Sequence, residues 1–298
     1  MSHPVPRKPA WLKRRLPSGS GFEKVRALID NCHLHTVCQE AKCPNIWECF
    51  SRETATFLIL GDRCTRNCRF CAVAHGPEHL PDPVEPGQVA SAVQQLQLAY
   101  VVITSVTRDD LSDGGAAHFA KTIQAVKKQC PKVGIEVLIP DFQGNHDAWQ
   151  TILDARPDVL NHNLETIQRL YPTVRPEADY GRSLDLIRYV ADNGGDITTK
   201  SGLMLGLGET RKELLAAFAD MVQVGCRILT LGQYLQPSKA HLPVARYVPP
   251  EEFHELRKIA LGMGFRDVAA EPFVRSSYRA KELYRSVRGS EGDTGVRE

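Results

Sequence analysis

The chain has 298 residues, with 37 basic against 35 acidic for a formal charge of +2, and is 42% apolar and 24% charged. That balance belongs to a globular chain and excludes a disordered or collagen-like one, while the near-neutral charge speaks against a large nucleic-acid footprint. The longest apolar stretches, 100–106 and 203–207, fall far short of the roughly 20 residues that cross a bilayer, so no membrane partner is expected.

From the start of the chain, residues 1–22 contain no acid, and Arg7, Lys8, Lys13, Arg14 and Arg15 form a basic run of transit-peptide character. Pro4, Pro6, Pro9 and Pro17 oppose the amphipathic helix such a peptide needs and predict an extended surface arm instead. Cysteines crowd next: six of the nine lie from Cys38 to Cys71, with Cys32 just upstream and Cys130 and Cys226 alone. The chain is long enough to build a core and lacks a secretory apolar segment, so metal binding in a reducing, cytoplasmic setting is the better reading than disulfides.

From residue 54 onward, apolar β-rich runs alternate with amphipathic helical patterns. Strands are predicted over 54–61, 100–106, 133–140, 159–165, 197–206 and 228–235. Helices are predicted over 85–98, 114–129, 146–155, 180–193, 209–224 and 250–262; Leu214, Leu215, Phe218, Met221 and Val222 recur at helical spacing in the fifth. Six βα repeats point to a mixed α/β fold, a partial (β/α)6 TIM-like barrel open at one side, with a doubly wound sheet as the alternative. Either would gather ligands at the carboxyl ends of the strands. The expected organisation is an N-terminal arm and cysteine segment (1–53), the partial barrel (54–264), and a C-terminal extension (265–298) whose tail, 289–298, reads as disordered.

Cys64, Cys68 and Cys71 form C-x3-C-x2-C directly after the first strand, on a loop at the top of the sheet. A structural zinc site takes four ligands, usually as two separated pairs, whereas three close thiolates can hold three irons of a 4Fe-4S cluster and leave the fourth open to a chelating ligand. His75 is the fourth ligand of the zinc alternative. Cys38, Cys43 and Cys49 form a second triplet, C-x4-C-x5-C, with no zinc-ribbon pair. Cys32, His33 and His35 read as non-ligands, Cys130 and Cys226 as packing residues, and Trp47 as a cover or core residue.

The C-x3-C-x2-C loop after strand one, with Phe70 ahead of Cys71, resembles the radical S-adenosylmethionine enzymes. The order of the two triplets and the FVRSSYRA segment at 273–280 make the chain similar to the lipoyl synthase family in particular. That similarity extends through KPAWLKRRLP, SVTRDDLSDGGAAHF, NHNLET and GLMLGLGE, so it covers nearly the whole length. The resemblance implies insertion of two sulfur atoms, at C6 and C8, into an octanoyl chain on a lysine of a lipoyl carrier domain or the glycine-cleavage H protein. It also implies cleavage of two molecules of S-adenosylmethionine to 5'-deoxyadenosine and methionine, with electrons from a donor such as ferredoxin or flavodoxin. By the same resemblance, Cys64, Cys68 and Cys71 bind the radical-generating 4Fe-4S cluster. Cys38, Cys43, Cys49 and Ser277 then bind a sacrificial auxiliary 4Fe-4S cluster that donates the sulfur. Arg275, two residues from Ser277, is a candidate to screen cluster charge or shield the site, with an ordinary surface arginine as the alternative.

Ser105, Thr107, Arg108 and Asp110 after the second strand, Asn163 and Glu165 ending the fourth, and Glu209 after the fifth are the candidate contacts to S-adenosylmethionine; their alternative is to cap helices and shape loops. Gly202, Gly206 and Gly208 either admit a ligand close to the backbone or serve turns. Lys13, Arg14 and Arg15 are candidates to meet an acidic carrier. Two other readings stay open at this point: a different radical enzyme with an auxiliary cluster, and a zinc-binding nucleic-acid module built on the cysteines and the basic arm.

Overall fold

The computed structural model describes residues 7–13, 20–32, 34–51, 55–76 and 79–291. In chain order, a 3-10 turn at Ala10–Leu12 precedes helix α1 (Ser20–Asn31), strand β1 (His35–Thr36), α2 (Val37–Glu40) and α3 (Ile46–Ser51). There follow β2 (Thr56–Ile59), a small pair β3 (Arg63–Cys64) and β4 (Ala74–His75), α4 (Glu85–Gln95), β5 (Tyr100–Ser105), α5 (Ala116–Gln129), β6 (Gly134–Leu138) and α6 (His146–Asp154). The remainder is β7 (Val159–Asn161), α7 (Tyr171–Val174), α8 (Tyr180–Asn193), β8 (Thr198–Leu205), α9 (Arg211–Gln223), β9 (Ile228–Gln233), α10 (Pro250–Met263), β10 (Asp267–Ala270) and α11 (Ala280–Glu291).

All six predicted strands and all six predicted helices form. β2 and β9 are buried along their whole length, as parallel strands covered on both faces must be, and their apolar and β-branched runs TFLI and ILTLGQ suit that setting. The strands order as β1-β2-β5-β6-β7-β8-β9-β10, parallel throughout except β1 on β2. Strand order therefore follows chain order without reversal. A doubly wound sheet reverses at its switch point, so right-handed crossovers here put the helices on one side, and the sheet curls into an open barrel.

Helix ends follow local chemistry. Thr210 and Glu213 make a reciprocal capping box on α9, and Asn145 accepts from the amides of Asp147 and Ala148 at the start of α6. Gly264 closes α10 at φ 119°, a conformation glycine tolerates.

Several sequence expectations are corrected. The sheet has a seventh parallel strand, β10, and an antiparallel edge, β1, too short to carry a periodic signal. Helices α1, α2, α3, α7 and α11 were not foreseen. α11 continues to Glu291, three residues into the expected disordered tail; residues 292–298 lie outside those described, as do Arg14, Arg15, His33 and Thr54. Leu12 is buried, so the described part of the arm is anchored on the body at that point.

α11 closes the amino-terminal end of the barrel. Ala280 packs with Tyr100 and Val102, Leu283 and Val287 pack with Ile228, and the Tyr284 hydroxyl donates to Asp158 at 2.8 Å. Above it lies a polar layer: the Lys200 ammonium donates to both Glu136 oxygens at 2.8 and 3.1 Å, joined by the Tyr100 hydroxyl at 3.0 Å and the Asn161 amide at 3.3 Å.

Candidate functional site

At the opposite end, the carboxyl ends of the strands surround a cavity of about 540 Å³. Thr104, Leu138, Gly202, Thr230 and Gly232 form its strand walls, and all six cysteines of the two triplets line it. Residues 274–278 close it from the C-terminal side.

The loop carrying Cys64, Cys68 and Cys71 is held at several points. The Thr65 amide and hydroxyl both donate to Thr107 O at 3.0 Å, the Arg69 amide donates to Val174 O, and Leu242 N donates back to Arg69 O. Arg66 is forked onto Asp109 at 2.6 and 2.9 Å and reaches Asp141 at 2.6 Å. Burial opposes ionisation of Asp141, but Arg66's hydrogen bond and charge prevail and hold it at about 2. The Thr107 amide donates to Cys64 Sγ at 3.3 Å, fixing the position of the sulfur.

The second triplet is built from short helices. Thr36 caps α2, which carries Cys38; Cys43 N donates to Cys38 O, and Cys49 on α3 donates its amide to Asn45 O. Two long-range bonds then clamp the C-terminal segment over it. Asn45 Nδ2 donates to Phe273 O at 2.7 Å, and the Tyr278 hydroxyl donates to Glu48 at 3.0 Å. Ser277 is thereby held in the wall of the cavity that Cys38, Cys43 and Cys49 share.

Burial and mutual charge shape the thiols. Burial pushes Cys71 up to about 12, and raises Cys68 and Cys38; Cys43 and Cys49 raise Cys38 further. Half-buried Glu165 is raised by desolvation, opposed by the nearby guanidinium of Arg175, by a hydrogen bond from Asn163 and by Arg275. Arg175 itself donates to the carbonyls of Asn163 and Leu164, at 2.9 and 3.2 Å, and lies close enough to Cys68 to lower it.

The residues fit a ligand that brings both iron and hydrogen-bonding groups. Ser105, Asn163, Asn45 and Arg175 line this cavity, and their Oγ, Oδ1, Oδ1 and Nε atoms are buried with no partner. Buried polar atoms are normally paired, so four orphans on residues around one cavity mark groups suited to a ligand. No three His, Cys, Asp or Glu side chains among the described residues converge on a point tightly enough for a single metal ion. Thiolates that each bind a separate iron of a cluster need no such convergence. His75 is exposed on β4 and does not line the cavity.

Of the predicted contacts, Ser105, Thr107, Asn163, Glu165 and Arg275 line the cavity with the cysteines and Ser277. Arg108, Asp110 and Glu209 do not. Arg108 is buried, forks onto Asp110 at 2.9 and 2.8 Å and donates to Leu60 O, tying the end of β2 to the loop after β5. Glu209 accepts from Gly206 N and Leu207 N at 2.7 and 2.8 Å, closing the turn where Gly206 and Gly208 have φ 95° and 107°. Gly202 differs: a Cβ there would stand 2.4 Å from Thr230 Oγ1 and 2.9 Å from Asn163 Oδ1, so it keeps the wall open. Cys226 is buried as packing, and Trp47 stacks on Phe22 at 4.3 Å away from the cavity. Sequence reasoning missed Arg66 and Asn45, whose partners are distant in the chain, Arg175, which bonds within 12 residues but turns toward Cys68 and Glu165, and Ser276 in the 273–280 segment.

Comparison with known proteins follows the same lines. The profile of the radical SAM superfamily matches residues 58–221, and that of the N-terminal domain of lipoyl synthase of the radical SAM family matches residues 2–43. Lipoyl synthase of Desulfotalea psychrophila is 59% identical over 280 residues, covering 94% of each chain. That of Chlorobium chlorochromatii is 53% identical over 283 residues, covering 94% of this chain and 96% of its own. Among solved structures, methylornithine synthase matches with TM-score 0.51 at 13% identity over 95% of each chain. Streptococcus suis SuiB bound to S-adenosylmethionine matches with TM-score 0.55 at 10% identity over 73% of this chain, which spans about half (51%) of SuiB. At such identities the structural likeness shows the fold alone.

Proposed function

The chain belongs to the lipoyl synthase family of the radical S-adenosylmethionine superfamily, and on that premise we propose that its cavity holds two 4Fe-4S clusters serving sulfur insertion at C6 and C8 of a protein-bound octanoyl chain. Superfamily membership brings S-adenosylmethionine and one 4Fe-4S cluster. The observation that carries the two-cluster reading is that Cys64, Cys68 and Cys71 share one cavity with Cys38, Cys43, Cys49 and Ser277.

When bound, the first cluster supplies the electron that cleaves S-adenosylmethionine to a 5'-deoxyadenosyl radical, and the second supplies sulfide. The protein's own part is to hold and shield. Thr107 N–H steadies the Cys64 sulfur, and the orphan atoms of Ser105 and Asn163 offer hydrogen bonds to a bound ligand. Leu58, Leu138, Ile139, Met204 and Val274 give the wall an apolar surface that accepts an alkyl chain and excludes water, which would otherwise divert a reactive intermediate. Ser277 offers a hard oxygen where the other auxiliary ligands are soft thiolates, a weaker partner for iron-sulfur chemistry and so a point at which iron can leave. The substrate arrives as an octanoylated carrier protein, and a one-electron donor of the ferredoxin or flavodoxin kind completes the cycle. No described helix is long and apolar enough to cross a membrane.

Anaerobically reconstituted protein given reductant, S-adenosylmethionine and an octanoyl-lysine peptide should yield a product heavier by two sulfurs, less two hydrogens once the dithiolane ring closes. Iron analysis should give about eight irons per chain. Four irons, or a product without sulfur, would overturn the proposal. Ser277→Cys should still load iron to that level but turn over poorly, because the fourth ligand is then as soft as the rest.

A further inference from the structure

Resting on that reading, we propose that Ser276, the neighbour of the proposed ligand Ser277, is a positioning residue that links ligand occupancy at Asn163 to the conformation of the 273–279 segment. Asn163 lies just beyond β7 and is buried. Its amide nitrogen donates to Ser276 Oγ at 2.5 Å and to Glu165 Oε1 at 3.0 Å, which uses both of its hydrogens. Its oxygen is buried, unpartnered and faces the bare Cα of Gly202, where a Cβ would approach it to 2.9 Å. The one unsatisfied group of Asn163 thus lies against the Gly202 stretch of the cavity wall, while its satisfied side grips the C-terminal segment.

A ligand donor placed in the cavity, such as an amino group or a ribose hydroxyl, would pair with Asn163 Oδ1 and orient the amide. With the oxygen so held, the NH2 faces Ser276 and Glu165. Without a ligand, the amide can turn over and offer oxygen where nitrogen stood, which breaks the bond to Glu165 and changes the partner Ser276 sees. The segment's ends are fixed elsewhere, by Gln233 N on Pro272 O, Asn45 on Phe273 O and Tyr278 on Glu48. Ser276 ties the middle of the segment to the barrel wall by a side-chain hydrogen bond, next to Ser277. Arg275 reinforces this junction by acting on Glu165 through space.

The test is amide hydrogen exchange of the cluster-loaded protein, anaerobic and without reductant, with and without S-adenosylmethionine. In the wild type the ligand should slow exchange across 273–279 by about fivefold or more, the size of an ordinary coupling between sites. In Ser276→Ala the slowing should fall below twofold while affinity for S-adenosylmethionine changes less than threefold, and Ser276→Thr, which keeps the hydroxyl, should restore it. The proposal is overturned if the wild-type segment does not respond, if Ser276→Ala keeps the response, if Thr fails to rescue it, or if Ser276→Ala loses affinity more than threefold, which would make Ser276 part of the binding site itself. Iron content reports separately on the two-cluster reading: four irons per chain with an intact ligand-dependent response would remove that reading and leave the coupling standing.

Discussion

Replacing Gly232 with Ala tests how closely the C-terminal segment must sit on the barrel. Gly232 lies in β9, and a Cβ there would stand 2.1 Å from Val274 O and 3.1 Å from the Arg275 guanidinium. Ordinary Cβ contacts lie at 3.4 Å or more. Relief therefore demands a retreat of about 1 Å by a backbone carbonyl, which cannot rotate aside as a flexible side chain would. Overpacking of this kind costs roughly 1–3 kcal/mol in stability. The segment that must move carries Ser276 and Ser277, and displacements near 1 Å at a reacting site can cost on the order of a hundredfold in rate. We expect Gly232→Ala to lower turnover of an octanoyl-lysine peptide by one to two orders of magnitude, with the iron content of the C-x3-C-x2-C site retained. Gly262→Ala, in α10 with nothing near its added methyl, serves as control and should raise stability by about 0.5–1 kcal/mol at unchanged rate. Turnover of Gly232→Ala within twofold of wild type would refute the idea that this contact positions the segment.

Burial, aided by the charge of Arg175, holds the His162 imidazole down at about 4 against an ordinary 6.5. The unfolded chain takes up this proton first, so stability falls as pH drops from 6.5 and the loss is complete by about 4. Between pH 6.5 and 5 the loss should reach about 2 kcal/mol, and His162→Asn should flatten that part of a stability profile from denaturant titration; an unaltered slope would count against it. Lys200→Met leaves the Glu136 carboxylate buried without its cation and should cost about 3–5 kcal/mol, whereas Lys200→Met with Glu136→Leu should recover only part of that in urea midpoints, since the Tyr100 hydroxyl and Asn161 amide then lose their acceptor. Thr210→Ala removes half of the α9 capping box and should cost about 1 kcal/mol with the peptide assay unaffected.

The centres of the six barrel strands, the six helices between and after them, and both cysteine triplets were legible in the chain because each rests on local information. Strands buried on both faces read as apolar runs, amphipathic helices as 3.6-residue periodicity, and cluster loops as short fixed spacings. Element ends were less so. β7 stops at Asn161, and the chain returns to the sheet through a single bridge at Glu165, which sits at φ 66°; neighbouring strands impose that, not the run from 159 to 165. β10, four residues long, is a strand because β9 pairs with it.

Placement at the strand ends nominated Ser105, Thr107, Asn163 and Glu165, which line the cavity, and Arg108, Asp110 and Glu209, which do not, since position alone does not say whether a side chain turns to the cavity or back to its own loop. What brings the C-terminal segment onto the second triplet and the barrel lies beyond any local pattern: Asn45 meets Phe273 across 228 residues, Tyr278 meets Glu48 across 230, and Asn163 meets Ser276 across 113. The sequence by itself determined which side chains are candidate iron ligands, because donor chemistry is a property of residue type and spacing. Only the tertiary structure decided that both sets face one another, because an open barrel leaves room for the C-terminal segment to pass along its mouth and carry Ser277 to cysteines more than two hundred residues away.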